Sequence, residues 1–260
     1  MQKLLNTALD TAKEAGEFIR NERRNFDWSR VEQKQNFTDL VSYVDKEAER
    51  LIVERLRGAI EDAGFITEEG TGSGTGEVNW VIDPLDGTTN FLHNLPLYCT
   101  SIALVQGNKE LLGVVYEINT DEAFYAAQGG GAFLNDSPIM VSKAKSLRES
   151  LIATGFPYVA FEKTPQYLEI FNHLMRNTHG LRRLGSAALD LAYVAAGRLE
   201  GFYEFALKPW DMAAGTLLVK EAGGRVTDFN GGDNYIFGDG MVSGCAIQQE
   251  LLETVQRFWK

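Results

Sequence analysis

The amino-acid sequence predicts a layered α/β protein with at least two sheets. Segments with helical periodicity alternate with short strand-like runs, and such alternation is typical of layered α/β folds. The 260 residues can bury a substantial core, and neither an internal repeat nor a low-complexity linker divides them. The length fits one large α/β domain or two small ones, and the mixture of elements is compatible with two halves that share one cleft.

The first half begins with two predicted amphipathic helices, over about 1–24 and 42–62. The second of them carries one apolar face, formed by Val44, Ala48, Leu51, Ile52 and Leu56. Short apolar runs punctuated by Gly and Asn follow, and such runs are typical of strands. They predict strands at about 64–67, 79–82, 99–105, 111–118, 123–126 and 132–134.

The second half returns to alternating elements. A strand at about 150–154 precedes a helix that opens at Thr164-Pro165, because proline is favoured at the first helical position. Gly197 and Gly223-Gly224 end two further helices. The remaining predictions are helices at about 186–198, 211–222 and 248–259 and strands at about 201–205 and 241–245.

Composition narrows the expected partners and location. The net charge of −11 argues against a nucleic-acid partner or an anionic membrane surface, because binding to phosphates there needs clustered Lys and Arg. No apolar run approaches the roughly 18 residues of a membrane span. The first residues have helical periodicity rather than a signal-peptide pattern. We expect a cytoplasmic protein in which Cys99 and Cys245 are buried thiols.

Acidic residues stand at three predicted strand exits or helix entrances. Glu68 and Glu69 follow one strand, Asp83 and Asp86 follow the next, and Asp211 begins a helix. Open α/β sheets bind ligands at such positions. Two carboxylates about 4 Å apart repel by about 4 kcal/mol at an effective dielectric near 20, so a cluster of them needs cations. Oxygen ligands without His or Cys favour Mg²⁺ over Zn²⁺.

The stretch from Asp83 to Thr88, DPLDGT, combines candidate metal ligands with a candidate phosphate site. Pro84 stiffens the turn, so both aspartates and the carbonyl of Leu85 can face one space. Gly87 lets a phosphate approach the backbone, and a helix that opens at Thr88 offers free N–H groups to it. The density of these features in six residues favours a functional site over a simple helix cap.

Residues 83–91, Asp-Pro-Leu-Asp-Gly-Thr-Thr-Asn-Phe, resemble the signature of the inositol monophosphatase family of Mg²⁺-dependent, lithium-sensitive phosphatases. Glu68-Glu69-Gly70 and residues 210–215 match that family's two other motifs in order and spacing. Asp39-Leu40-Val41 with Asp45 matches its N-terminal element, so the resemblance spans nearly the whole chain. It implies an αβαβα sandwich of the inositol monophosphatase and fructose-1,6-bisphosphatase type, and a homodimer. It also implies a single domain over 1–260, whose two halves, about 1–145 and 146–260, share one active-site cleft.

The resemblance also implies two to three Mg²⁺ ions per active site. Glu68, Asp83 and the Leu85 carbonyl would hold the first ion. Asp83, Asp86 and Asp211 would hold the second, and Glu68 with waters would hold a weaker third. The implied catalytic residues are Glu68, Thr88 and Asp45, with Thr88 bonded to Asp45 and orienting the attacking water. The implied substrate-binding set is Asp86, Gly87, Thr88, Gly185, Ser186, Ala187, Glu204 and Asp211.

Two of these positions also have a simpler interpretation. Asp45 stands among charged residues, so taken alone it favours a solvated helix face. Ser186 is equally well explained as the N-cap of the helix that follows it. The glycine-rich segment Gly72-Ser73-Gly74-Thr75-Gly76 is interpreted as a flexible loop over the site, because no Lys-Ser/Thr pair or helix follows it as in a nucleotide-binding loop.

The implied function is Mg²⁺-dependent hydrolysis of inositol monophosphate, or of a similar small sugar or polyol phosphate, by direct attack of metal-activated water. Alternatives include fructose-1,6-bisphosphatase, another sugar or nucleotide phosphatase of the superfamily, and a non-catalytic regulatory protein. An aspartyl-phosphate phosphatase of the haloacid type expects Asp-x-Asp, whereas Asp83 and Asp86 are three residues apart. A glycosidase mechanism needs only the paired carboxylates and does not explain the Gly87-Thr88-Thr89 segment.

Overall fold

The computed structural model describes residues 1–33, 40–72, 74–157 and 161–260. Asp39 of the N-terminal motif and Ser73 of the glycine-rich loop lie outside the described residues. The α-helices of the described ranges are α1 (Gln2–Arg24), α2 (Tyr43–Leu56), α3 (Thr88–Leu92), α4 (Thr164–Asn177), α5 (Ala187–Ala195), α6 (Pro209–Glu221) and α7 (Gln248–Phe258). The strands are β1 (Val31–Gln33), β2 (Leu40–Ser42), β3 (Gly64–Thr67), β4 (Val78–Asp86), β5 (Cys99–Gln106), β6 (Lys109–Glu117), β7 (Glu122–Ala127), β8 (Ala132–Leu134), β9 (Ser137–Ile139), β10 (Leu151–Thr154), β11 (Gly180–Arg182), β12 (Gly201–Phe205), β13 (Arg225–Asp228) and β14 (Gly240–Gly244).

Two large sheets organise these strands. The seven-stranded sheet has the order β3-β4-β5-β6-β7-β8-β9, in which β3 and β4 are parallel and the other pairs antiparallel. The five-stranded sheet has the order β11-β10-β12-β14-β13. In it, β10 runs parallel to both neighbours, whereas β14 is antiparallel to both of its own. Strands β1 and β2 form a small antiparallel pair.

The helices form three layers around the two sheets. Helices α1 and α2 bury residues such as Ile19 and Ile52 against Trp80 of the seven-stranded sheet. Helices α5 and α6 fill the space between the sheets, and α4 and α7 cover the outer face of the five-stranded sheet. Apolar side chains line every interface, so each layer removes the hydrophobic faces of its neighbours from water. The layer order confirms the αβαβα sandwich.

The predicted elements are confirmed with some shifted ends. Helix α2 stops at Leu56 rather than near residue 62, because Arg57 adopts an extended conformation and Gly58 a left-handed one. Helix α6 begins at Pro209, which makes Asp211 its third residue. Strand β4 continues to Asp86, four residues beyond its predicted end. The short strands β1, β2, β9, β11 and β13 were not predicted.

Both cysteines are free and buried, as predicted. None of the helices in the described ranges is long and apolar enough to cross a membrane.

Candidate metal and substrate site

The end of β4 is irregular, and this irregularity shapes the site. The register with β5 shifts between Asp83 and Asp86. Pro84 falls inside this break, where its missing N–H removes no regular ladder bond. The amide of Leu85 donates to Oδ1 of Asp83 over 3.0 Å, which forms a tight local turn. Asp83 is only 2% exposed, so its carboxylate faces the interior of the site.

Gly87 leads from this turn into α3. Its φ of 99° is left-handed, a conformation that side chains disfavour, and a Cβ there would lie 3.0 Å from the carbonyl oxygen of Leu97. Thr88 is the first residue of α3. Its hydroxyl donates to Oδ1 of Asp45 over 2.8 Å and lies 3.1 Å from the carbonyl oxygen of Leu85. The hydrogen bond between Thr88 and Asp45 that the resemblance implies is therefore present.

Asp45 is fully buried as the third residue of α2. Its Oδ2 accepts from the amide and the hydroxyl of Ser42, over 2.8 and 2.6 Å, in a capping box. The solvated helix face suggested by its charged neighbours is wrong, because capping turns Asp45 inward toward Thr88. Burial raises the pKa of Asp45 to about 6, and the hydrogen bonds from Ser42 and Thr88 partly oppose that rise.

Three carboxylates converge beside this turn. Asp83, Asp86 and Asp211 each place an oxygen within 4.8 Å of the other two. Asp86 accepts from the Ser186 hydroxyl and the Ala188 amide, both over 2.7 Å. Asp211 accepts from the amide of its own helix N-cap residue over 2.7 Å. The strand exit and the start of α6 thus bring together acids that lie more than a hundred residues apart in sequence.

Burial and mutual repulsion destabilise the folded protein when all three carboxylates are ionised. Burial raises the pKa of Asp83 and of Asp211 well above the ordinary value, and neighbouring carboxylates, including that of Glu68, raise both further. Burial likewise raises the pKa of Asp86 to about 6, against the opposing bonds from Ser186 and Ala188. A divalent cation among these oxygens would remove the repulsion, and the all-oxygen donor set suits a hard ion.

Glu68 directly follows β3 and lies close enough to affect the cluster electrostatically. Its amide donates to the carbonyl oxygen of Ile82 over 3.3 Å, which ties it to β4. The next residues are held from α2, because the buried carboxylate of Glu49 accepts from the amides of Glu69 and Thr71 over 2.7 and 2.8 Å. Glu49 is a site-supporting residue that the sequence analysis missed.

A small cavity adjoins the carboxylates. Six of its lining residues were named as substrate contacts: Asp86, Gly185, Ser186, Ala187, Glu204 and Asp211. Six others were not: Thr154, Gly155, Phe156, Arg183, Asp190 and Leu207. The cavity thus joins residues of both halves of the chain. The substrate roles of its lining residues stay predictions.

Glu204 reaches this cavity from β12 and is 9% exposed. Burial raises its pKa to about 8, Arg183 opposes the rise, and Asp86 adds to it. Gly155 leaves room for the carboxylate, because a Cβ at that position would overlap both oxygens of Glu204. Ser186 occupies the N-cap position of α5, as one interpretation held, but its hydroxyl bonds to Asp86 instead of capping the helix.

Arg183 and Asp190 were missed because no motif marks them. Asp190 looks like an ordinary acid in the first turn of a helix, where acids are favoured. Arg183 stands next to a second arginine on a loop and looks like a surface residue. Only the folded structure shows that both residues line the cavity.

The fold and site define a class of layered α/β protein with an acidic candidate metal centre at a strand exit and an adjoining small-molecule cavity. The chain belongs to the inositol monophosphatase family, whose family model matches residues 1–260. Proteins of this family are metal-dependent. The acidic cluster agrees with that property.

Named relatives and solved structures agree with this membership. The chain is 45% identical to Nus factor SuhB of Escherichia coli K12 over 247 residues, which cover 94% of this chain and 92% of that one. It is 46% identical to inositol-1-monophosphatase of Rhizobium meliloti over 222 residues, 84% of each chain. The extragenic suppressor protein SuhB of Bartonella henselae superposes with a TM-score of 0.91 at 39% identity, covering 98% of this chain and 99% of that one. The IMPase of Thermotoga maritima superposes with a TM-score of 0.89 at 36% identity, covering 100% of this chain and 98% of that one.

The comparisons do not support the exclusion of a nucleic-acid partner that the net charge suggested. Several relatives at 42–45% identity carry the name Nus factor SuhB rather than that of a phosphatase. Net charge averages over the whole surface and says nothing about a local patch.

Proposed function

We propose that this protein is a Mg²⁺-dependent phosphomonoesterase that hydrolyses inositol monophosphate or a similar small polyol or sugar phosphate. The observation that carries the proposal is the convergence of Asp83, Asp86 and Asp211 within 4.8 Å, beside the bonded pair of Thr88 and Asp45. The proposed metal ligands are these three aspartates, Glu68 and the Leu85 carbonyl, for two to three Mg²⁺ ions.

Bound Mg²⁺ would supply an acidified water and neutralise charge on the departing oxygen. The Thr88 hydroxyl hydrogen points to Asp45, so the Thr88 oxygen is left as an acceptor for a hydrogen of the attacking water. That bond would turn a lone pair of the water toward phosphorus. Glu68 lies beside the cluster and would accept the proton that the water loses. No covalent phosphoenzyme is needed.

The amides of Gly87 and Thr88 would hold the phosphate, and the cavity would hold the rest of the substrate. Ser186 has given its hydrogen to Asp86, so its oxygen would serve as an acceptor for a substrate hydroxyl. Gly185 and Ala187 flank Ser186, and Glu204 on β12 offers a further acceptor. A leaving group rich in hydroxyls matches these acceptors.

We also propose that the chain acts as one domain and assembles as a homodimer. Asp83 and Asp86 come from the first half, whereas Glu204 and Asp211 come from the second, so neither half alone contains the full residue set. Sedimentation of the purified protein would test the dimer. Separate expression of residues 1–145 and 146–260 would test the domain, because neither half should bind Mg²⁺ or hydrolyse an ester alone.

The decisive test is a panel of phosphate esters assayed with Mg²⁺ and again with a chelator. The panel holds inositol 1-phosphate, fructose 1,6-bisphosphate and a nucleoside 3′-phosphate. We expect hydrolysis of inositol 1-phosphate that disappears in chelator and that millimolar lithium inhibits. Absence of hydrolysis of every ester, or a phosphorylated side chain trapped during turnover, would contradict the proposal.

A second candidate is a regulatory binding role, favoured by the Nus factor name of several relatives. Binding to a macromolecule needs a surface, whereas hydrolysis needs the buried carboxylates. Asp83→Asn should therefore abolish hydrolysis and leave such binding intact. A protein that binds a partner but hydrolyses no ester would favour this second candidate.

A further inference from the structure

The inner wall of the cavity carries two buried carboxylates, and only one of them has a role so far. Glu204 is the assigned acceptor. Asp190, the fourth residue of α5, lines the same cavity and is 1% exposed. The two carboxylates also lie within electrostatic range of each other.

One oxygen of the buried Asp190 carboxyl group lacks a hydrogen-bond partner. Burial and the neighbouring carboxylates of Glu204 and Asp86 raise the pKa of Asp190 well above its ordinary value, and Arg183 opposes the rise. Its Oδ1 accepts no hydrogen bond from any of the described residues. A helix-capping role does not account for it either, because the nearby amide of Ala188 donates to Asp86 instead. A buried carboxyl oxygen without a donor destabilises the free protein. This loss of stability is removed when a bound ligand supplies the missing donor.

Oδ1 can accept a hydrogen bond when the carboxyl group is ionised and also when the proton is on Oδ2, so a donor is a suitable partner for it in both states. The proposed substrates carry hydroxyls, and a hydroxyl is the donor that they can present to this wall. The only arginine in the described cavity lining is Arg183, which is exposed and opposes the raised pKa of both Glu204 and Asp190. The buried part of the wall therefore offers carboxyl oxygens as acceptors for substrate hydroxyls.

We propose that Asp190 is a specificity-determining residue that, together with Glu204, accepts hydrogen bonds from hydroxyls of the leaving group. The inference rests on the proposed phosphatase function and narrows its substrate class. The preferred esters carry hydroxyl groups on the face that meets α5 and β12. Esters of the same size without hydroxyls leave both carboxylates unpartnered and are rejected.

The test compares inositol 1-phosphate with cyclohexyl phosphate, the same six-membered ring without hydroxyls. We expect the wild-type protein to have a much larger kcat/KM for inositol 1-phosphate. In Asp190→Leu, which has no polar atom in its side chain, the ratio of the two kcat/KM values should fall by about tenfold, the size expected for one lost hydrogen bond. An unchanged ratio would overturn the inference.

Glu110→Gln is the matched control. Glu110 is also a buried acid, 2% exposed, but its carboxylate already accepts from Thr216 over 2.9 Å and from Lys220 over 2.7 Å. We expect this variant to lose stability and to keep the wild-type substrate ratio. A similar fall in the ratio in Glu110→Gln would show that any buried acid matters, and would overturn the specific role of Asp190.

Thermal unfolding separates a ligand-binding role from a structural one. If Asp190 binds a substrate hydroxyl, Asp190→Leu should raise the Tm of the free protein, because it replaces a buried polar group without a partner by an apolar one. If Asp190 stabilises the fold, the Tm should fall, and the inference fails. Asp190→Ser provides a second, smaller variant with the same expected loss of selectivity. If the wild type hydrolyses neither ester, the proposed function itself fails, whereas hydrolysis with an unaltered ratio in both variants rejects only the role of Asp190.

Discussion

Glu49 accepts hydrogen bonds from both the amide and the hydroxyl of Thr71, over 2.8 and 2.7 Å. Asp45, one turn earlier on α2, accepts from Thr88. Both acids are fully buried and share one face of the helix. Helix α2 therefore holds two segments of the site at once, the loop after Glu68 and the start of α3. This arrangement predicts that changes on α2 alter the site without touching a proposed metal ligand.

Glu49→Ala should destabilise the protein by about 1–3 kcal/mol, because it leaves the amides of Glu69 and Thr71 without their acceptor. Urea unfolding of the metal-free protein measures this change. We also expect weaker Mg²⁺ binding by calorimetry, because Glu68 precedes the loop that Glu49 holds. Glu47→Ala is the control on the exposed face of α2, where its pair with Arg50 should contribute less than about 1 kcal/mol. Equal destabilisation by the two variants would contradict this role of Glu49.

Thr88→Val should reduce kcat by at least about a hundredfold and destabilise the protein by about 1–3 kcal/mol, because Oδ1 of the buried Asp45 loses its donor. Valine keeps the shape of the side chain but removes the hydroxyl that Asp45 orients, and with it the proposed acceptor for the attacking water. Thr88→Ser restores the hydroxyl and should recover most of the rate. A steady-state assay on inositol 1-phosphate measures both variants. A valine variant with a near-normal kcat would remove Thr88 from the proposed mechanism.

Asp83→Asn should stabilise the metal-free protein near neutral pH and abolish most of its turnover. The substitution removes one charge from a buried cluster whose members raise one another's pKa, so repulsion in the free protein falls. It also removes a proposed ligand shared by two ions. Thermal unfolding in chelator measures the first effect and a Mg²⁺-dependent assay the second. Asp10→Asn, on the exposed face of α1, should change neither.

The sequence predicted the layers and the acidic cluster well, because both depend on local patterns. The stretch from Asp83 to Thr88 contains five of the twelve residues named for the candidate site, and apolar periodicity marks the long helices. Asp45 was misjudged when taken alone, because its burial depends on a capping box and on Thr88, 43 residues away. No local sequence pattern marks Asp190, because its place in the cavity lining depends on how α5 packs. Strands β11 and β13 are short sheet edges with weak alternation.

The stability of the metal-free protein should fall as pH rises from about 5 to about 8. Folding raises the pKa of Asp45 and Asp86 to about 6 and that of Glu204 to about 8. In this window the folded state binds more protons than the unfolded state, so the unfolding free energy decreases with pH. Asp27 and Glu122 have lowered pKa values, so they are ionised in both states and do not contribute.

Magnesium should reverse this pH dependence, because the ion takes the place of the bound protons. We expect the rise in Tm on adding Mg²⁺ to be larger at about pH 8 than at about pH 5, where protons compete for the carboxylates. Calorimetry near pH 6 in two buffers of different ionisation enthalpy should detect proton release on Mg²⁺ binding. Asp83→Asn should release fewer protons than the wild type. A Tm that does not change with Mg²⁺ at any pH would show that these carboxylates do not bind the ion.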